Sequence, residues 1–205
     1  MNRFEDVARK VPELPTRLWG WVAFAVTCAE RLRPFYTCYA KQEVSGADNY
    51  LAALDYVWGC LEMTRFDPQD VQHLLAECEK TLLDEDGAWK AGCPYASDAA
   101  AAILYCLRLM LSGDQQEAVW AATRAYEVAD NFVVTHAGHG IDSPDDELEI
   151  LHHPVIQNEL ARQLRDLHEL QMVGTDLPSL RAVCEHLRQR ANSEAVVFFS
   201  SDLNK

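Results

Sequence analysis

The sequence predicts an all-α fold of about eight or nine helices, forming a single helical domain over residues 1–205. Three observations carry that reading. Apolar residues recur at i, i+3, i+4 and i+7 in segment after segment, the spacing that gathers them on one helical stripe. Proline, glycine and capping residues divide the chain into pieces of ordinary helix length. No two strand-like runs flank hairpin chemistry, and no fixed-period repeat or low-complexity linker is present.

In chain order, Phe4, Val7, Ala8 and Val11 make a short amphipathic helix that Pro12 and Pro15 end. Thr16 is placed to cap the most apolar run of the chain, which begins at Leu18 and ends near Arg33. Pro34 begins a further turn or helix, Phe35 to Val44, stopped by Ser45 and Gly46. Tyr50, Leu51, Leu54, Val57, Trp58 and Leu61 form the next stripe. Asp67 then caps a helix with Pro68 at its first position and Asp70 at its positive end. Val71, Leu74, Leu75, Cys78 and Leu82 line that helix, and Asp84 to Gly87 end it.

Residues 87–96 read as a loop, after which Ser97 caps the segment 98–111. That segment is apolar nearly all round, so it is expected to be the most enclosed helix. Ser112 and Gly113 stop it, and Asp114 with Glu117 has the spacing of a capping box for a helix reaching about Ala137. Residues 138–144 form the most loop-like interior stretch. Ser143 and Pro144 restart a helix that is interrupted around Pro154. Ile156, Leu160, Leu164, Leu167 and Leu170 give a long stripe ended by Gly174, and Leu180, Val183, Cys184, Leu187 and Ala191 give the last. Val196 to Phe199 read as a short extended segment.

Composition narrows the function classes. A hydrophobic fraction of 49% excludes wholesale disorder. The net charge of −14 lacks the basic footprint that phosphate neutralisation requires, so nucleic acid is not the expected partner. Residues 1–150 carry 12 basic and 25 acidic side chains, against 6 and 7 in residues 151–205, so an acidic docking face belongs to the first part. A bilayer span needs about 20 largely apolar residues. The run from Leu18 stops at Ala29, ahead of Glu30, Arg31 and Arg33, and no membrane partner is expected. Seven cysteines, at 28, 38, 60, 78, 93, 106 and 184, are odd in number, lack a CxxC and sit mostly among apolar residues. Reduced core thiols in a cytoplasmic protein account for them, and Cys93 is expected to be the most exposed. The N-terminal MNRFEDVARK lacks the apolar run of a signal peptide.

Candidate chemistry is sparse. His136 and His139 form an H-x-x-H pair, and His152 and His153 follow after the acids Asp142, Asp145, Asp146, Glu147 and Glu149. Imidazoles and carboxylates converging in this way can hold a divalent transition metal. Adjacent histidines diverge by about 100° on a helix, however, and no complete ligand motif is present. The simpler roles are a helix-end histidine and a solvated acidic helix start. Asp98 is the acid most expected to be partly buried, where it serves the free amides of a first helical turn. Trp19, Trp21, Trp58 and Trp120 fit core positions better than a ligand pocket, each indole N–H needing one partner. There is no phosphate-cradling glycine loop and no signature around any cysteine. No catalytic, cofactor-binding or metal-binding residue is assigned.

The segments FAVTCAERLRPFY, YLAALDYVWGCL, PYASDAAAAILYCL and HPVIQNELARQLRDLHEL, in that order, resemble the DUF416 family over about Leu14 to Phe199. The most specific parts are Cys28, Glu30, Arg31, Pro34 and Tyr36, and then Tyr95, Ala96, Asp98 and Ala99. The resemblance implies a compact α-helical bacterial protein of the cytoplasm, and supplies no catalytic residues. Glu30 and Arg31 are expected to form a helix-end ion pair with a neighbouring element. The expected function is a non-enzymatic protein-interaction or adaptor domain with an acidic surface, one form being immunity-like binding of a basic partner. The alternative is a small-molecule or metal-dependent activity between helices near His136–His153. Self-association is a third possibility.

Overall fold

A computed structural model of the chain describes residues 1–41, 48–80, 93, 95–136 and 144–200. These form nine α-helices: α1 (Phe4–Lys10), α2 (Leu18–Ala40), α3 (Asp48–Met63), α4 (Pro68–Glu79), α5 (Ala96–Ser112), α6 (Gln115–His136), α7 (Pro144–His152), α8 (Pro154–Met172) and α9 (Leu177–Ser200). A 3-10 turn, Val11–Glu13, follows α1, and no strand occurs among the described residues. No helix of the described residues is long and apolar enough to cross a membrane.

The molecule is built around α2. Fifteen of its 23 residues are buried, including every position from Val22 to Leu32. It packs most extensively on α5, then on α6 and α9, and also on α3 and α8. A helix surrounded on all sides needs small residues where neighbours approach, and Ala23, Ala25 and Ala29 supply them between Phe24, Val26 and Leu32. The expectation that 98–111 is the most enclosed segment is therefore corrected. In α5 ten of 17 residues are buried, a smaller share than in α2.

Local signals place several boundaries as expected. Asp67 Oδ1 accepts from the Gln69 N–H at 2.8 Å and Pro68 opens α4. Asp114 Oδ1 accepts from Gln116 N–H at 2.9 Å. Gly113 and Gly174 take the left-handed conformation that ends α5 and α8. Pro154 separates α7 from α8, with His153 as the N-cap: its Nδ1 accepts from the Val155 N–H at 3.3 Å.

Four boundaries differ from the sequence reading. The break at Pro34 does not occur, and α2 continues to Ala40. An interior proline costs about 3 kcal/mol. Continuing the helix buries Phe35, Tyr36 and Tyr39, and burial of large apolar side chains is worth roughly 1.5–3 kcal/mol each, so the proline is outweighed. Thr16 does not cap α2. Arg17 holds the N-cap position, and the Thr16 hydroxyl is buried beside Gly20, where a Cβ would meet Oγ1 at 2.3 Å. Tyr95 in the left-handed region, rather than Ser97, is the N-cap of α5. The segment Val196 to Phe199 is helical, as the end of α9, because the helix already running has no stop signal before it. The stop expected at Asp84–Gly87, most of the loops expected at 87–96 and 138–144, and the end of the Phe35–Val44 segment lie outside the described residues.

Arg17 has φ +44° and ψ −120°, a conformation that strains any residue with a Cβ. Such strain is worth about 1–3 kcal/mol, and glycine's extra unfolded-state entropy opposes its removal by about 0.5–1 kcal/mol. Arg17→Gly is expected to stabilise the protein by about 1 kcal/mol in denaturant unfolding. An unchanged or lowered midpoint contradicts the strain.

Candidate functional site

Among the described residues, six polar or charged side chains are buried in the helical core: Thr27, Glu30, Arg31, Glu159, Gln163 and Asp166. Arg31, 4% exposed, points from α2 to α8. Its Nη1 donates to Asp166 Oδ2 at 2.6 Å, its Nε to Glu159 Oε1 at 3.3 Å, and its Nη2 to Cys28 Sγ at 3.3 Å. Burial pulls the guanidinium pKa down, but Glu159, Cys28 and Asp166 outweigh that and hold it well above its ordinary value. Gln163 Nε2 also donates to Glu159 Oε1, at 2.9 Å, and to the Ala122 carbonyl of α6 at 3.1 Å.

The cluster grades outward. Asp166 Oδ1 accepts from Arg190 Nη2 of α9 at 2.6 Å, and Arg190 Nη1 donates to Glu169 at 2.6 Å. Glu194 accepts from Arg165 at 2.5 Å and lies 3.8 Å from Arg162, which is also 3.8 Å from Glu159. Four guanidiniums (Arg31, Arg162, Arg165, Arg190) thus interleave with four carboxylates (Glu159, Asp166, Glu169, Glu194). Their charges balance, which is the condition for keeping ions in a helical core.

Glu30 faces the other way. It is fully buried, and its Oε2 accepts from the Trp58 indole N–H of α3 at 2.8 Å. Its Oε1 is 3.0 Å from Arg33 Nε, an ionic contact in which the N–H is not aimed at the oxygen. Arg33 and Arg188 both donate to Asp55 Oδ1, at 2.5 and 2.6 Å, and the Arg188 guanidinium lies 5.6 Å over the Trp58 ring. Burial raises the Glu30 carboxyl pKa, while Arg33 and the Trp58 N–H oppose the rise. Adjacent residues of α2 therefore clamp opposite neighbours, Glu30 holding α3 and Arg31 holding α8 and, through Asp166, α9.

Little open space adjoins this cluster. The cavity beside it, bounded by Arg31, Leu32, Phe35, Glu159, Arg162 and Glu194, has a volume of about 20 Å³, the room of one water molecule. The roomier concavity, about 430 Å³, lies on the surface between α6 and α7. Tyr126 and Asp130 of α6, Glu147, Leu148, Ile150 and Leu151 of α7, and Arg3 ahead of α1 line it. The N-terminal segment is held there by Gln157 of α8: Asn2 N–H donates to Gln157 Oε1 at 2.9 Å, and Gln157 Nε2 donates to the Asn2 and Leu151 carbonyls at 3.0 and 2.8 Å. Phe4 packs on Tyr126 at 5.3 Å between ring centroids. Leu148 is 45% exposed at the groove.

Burial raises the Asp130 carboxyl above its ordinary value of 3.8. A raised folded pKa means that the site favours folding below the ordinary carboxylate range, and that this contribution is lost as pH rises through the folded value. Asp130→Asn is therefore expected to be slightly more stable than wild type at pH 7, by about 0.5 kcal/mol or less for a half-exposed group. The difference vanishes near pH 3. Paired chemical denaturation at the two pH values measures it, and a less stable variant at pH 7 refutes the assignment.

The histidines singled out in the sequence are not brought together by the described residues. His152 closes α7, its Nδ1 2.5 Å from the Leu148 carbonyl, and His153 caps α8. His136 ends α6, and His139 lies outside the described residues. Among the described residues no group of three His, Cys, Asp or Glu is placed to hold a metal ion. Asp98 is partly buried and 3.3 Å from Arg124 Nη1 of α6. Trp58 is core, but Trp120 is 41% exposed and packs at a tilt on Tyr105, 5.6 Å between ring centroids. Cys93 is buried, whereas Cys38 is exposed, the reverse of the expectation. The Glu30–Arg31 pair sits well inside α2 rather than at a helix end, because α2 runs on through Pro34. Sequence reasoning did not reach Glu159, Gln163 and Asp166. Their i, i+4, i+7 spacing beside the Leu160–Leu167 stripe is the available signal, and it looks the same as a solvated helix edge.

The architecture and its interior define a class: an all-helical protein organised on an enclosed central helix, with an arginine–carboxylate network inside the bundle. A model of the family described as "Protein of unknown function (DUF416)" matches residues 7–197, and the chain belongs to that family. The crystal structure of a DUF416 family protein from Shewanella baltica OS155 is similar, with a TM-score of 0.70 and 16% identity. The match covers 86% of this chain and 89% of that one, and at this identity it bears on the fold. Among curated proteins no match is found.

Proposed function

We propose that this protein is a non-enzymatic interaction domain that receives a basic, amphipathic segment of a partner protein in the groove between α6 and α7. The groove itself carries the reading. It sets two carboxylates, Asp130 and Glu147, against the single cation Arg3 and beside Leu148, Ile150 and Leu151 in about 430 Å³, a net acidic and apolar lining that suits alternating cationic and apolar side chains. The net charge of −14 favours approach of a basic partner and disfavours nucleic acid. The charged residues of the core support this indirectly, since they are mutually paired beside a cavity too small for an organic ligand. A single domain in a reducing cytoplasm fits one continuous core and six buried cysteines.

Affinity capture from native lysate tests the proposal, using wild type, Asp130→Asn/Leu148→Asp, and Asp70→Asn, at an exposed position of α4, as control. The expected result is a stoichiometric basic partner retained by wild type and control, released by salt, and lost with the groove variant. No such partner, or one that the groove variant still retains, overturns it. A small-molecule activity in the same groove is the second reading, favoured by the raised carboxyl of Asp130 beside Tyr126. It predicts a ligand that raises the melting temperature of wild type but not of Asp130→Asn.

A further inference from the structure

Outside that groove, two thiols lie in contact. Cys38 lies in the last turn of α2 and Cys93 just ahead of the Tyr95 cap of α5, 55 positions apart in sequence. Their sulfurs are 3.0 Å apart, inside ordinary sulfur–sulfur contact and about 1 Å from the length of a disulfide bond. Both residues are thiols; Cys38 is exposed and Cys93 is 2% exposed. The surroundings fix the approach: Phe35, one turn before Cys38, packs edge-on against Tyr95 at 5.1 Å, and the Cys93 carbonyl accepts from the Ala96 N–H at 3.3 Å.

We propose that Cys38 and Cys93 are a peroxide-responsive dithiol, with Cys38 the sulfur that is oxidised first and Cys93 the resolving sulfur. The Cys38 thiolate attacks hydrogen peroxide: an S–O bond forms, the O–O bond breaks, and the departing hydroxide leaves as water with the thiol proton. The Cys93 sulfur then attacks the Cys38 sulfenic acid. An S–S bond forms, the S–O bond breaks, and the departing hydroxide takes the Cys93 proton as a second water. Two electrons pass from the thiols to the peroxide, and a dithiol reductant reverses the change.

Exposure makes the chemistry selective. Cys28, Cys60, Cys78, Cys106 and Cys184 are buried, and burial raises the pKa of every one, Cys78 and Cys184 to about 12. Their thiolates are correspondingly scarce. The new bond ties the end of α2 to the start of α5, the two elements that carry the family's Glu30–Tyr36 and Tyr95–Ala99 segments. Closing a chain loop of that length restricts the unfolded state, so oxidation stabilises the fold.

The experiment treats the reduced full-length chain with equimolar hydrogen peroxide, then combines intact mass, peptide mapping and thermal melting. The expected product has lost two hydrogens, yields a linked Cys38–Cys93 peptide, and melts on the order of 5–10 °C higher than the reduced protein. Dithiothreitol restores the starting values. Cys93→Ser should instead accumulate a dimedone-reactive sulfenic acid at Cys38, and Cys38→Ser should show no change in melting on oxidation. Linkage through other cysteines, sulfinic acid at Cys38 without a linked peptide, or unchanged thiols in the wild type would falsify the proposal. The wild-type mapping stands whether or not either variant folds.

Discussion

Arg31→Ala is expected to lower the unfolding free energy by about 3–5 kcal/mol, because it takes the shared guanidinium away from two carboxylates in the core. Glu159 and Asp166 are almost wholly buried, and Arg31 reaches both, at 3.1 and 2.6 Å. In water each carboxylate would keep its hydration; inside the bundle the guanidinium replaces it. Asp166 retains Arg190 at 2.6 Å after the substitution, whereas Glu159 keeps only the Gln163 amide and Arg162 at 3.8 Å. The larger share of the loss is therefore expected from Glu159. Arg31→Ala/Glu159→Gln should recover part of the loss, and Arg31→Lys, which keeps the charge, should lose less than Arg31→Ala but remain below wild type, since an ammonium cannot reproduce the guanidinium fork. Urea titration of the four proteins measures this. A loss below about 1 kcal/mol for Arg31→Ala means that the network contributes little beyond what solvent would supply.

The second large effect is expected at Glu30, where the hydrogen bond matters more than the charge. Glu30→Ala leaves the Trp58 indole N–H in the core with no acceptor, and an unsatisfied buried donor costs about 1–3 kcal/mol, to which the vacated volume adds. Glu30→Gln keeps an oxygen for Trp58 and removes a carboxylate that burial already disfavours. It should therefore lie within about 1 kcal/mol of wild type at pH 7. The pH dependence has a definite sign. Because the folded pKa of Glu30 is raised, its contribution to stability is greatest below the ordinary value of 4.5 and is lost as pH rises through the folded value. Glu30→Gln should lack that dependence, so its stability relative to wild type improves between pH 4 and pH 7. Equal losses for the alanine and glutamine variants would show that the Trp58 hydrogen bond is not the operative contact.

Both predictions concern one feature of the fold. Adjacent residues on a continuous helix point about 100° apart. Glu30 and Arg31 use that divergence to bind different neighbours, so the central helix is keyed in rotation as well as packed. Apolar surface is non-directional and tolerates sliding. Paired buried charges do not, since a shift of register separates them in a medium that cannot solvate them.

Much of the architecture was legible in the residues. The stripe on α8, the Asp67 cap with Pro68, the Gly113 and Gly174 stops and the Pro154 interruption all rest on contacts within a turn or two of chain. Such signals act before any tertiary contact exists. The alternative site near His136–His153 was legible only as a neighbourhood. Glu147, Leu148, Ile150 and Leu151 of that segment do line the groove, but Tyr126, Asp130 and Arg3 complete it from elsewhere in the chain. His152 and His153, the histidines that mark this region in the sequence, serve helix ends instead.

Local chemistry thus determines that this chain is helical, where most helices start and stop, and which faces are apolar. Tertiary structure decides the rest. Pro34 reads as a break because a proline opposes helix locally, and only the burial of Phe35, Tyr36 and Tyr39 overrides it. Glu159, Gln163 and Asp166 read as a solvated edge because the sequence does not reveal that Arg31, 128 to 135 residues away, comes to meet them. The energy of a charge depends on what surrounds it, and for these residues the surroundings come from distant parts of the chain.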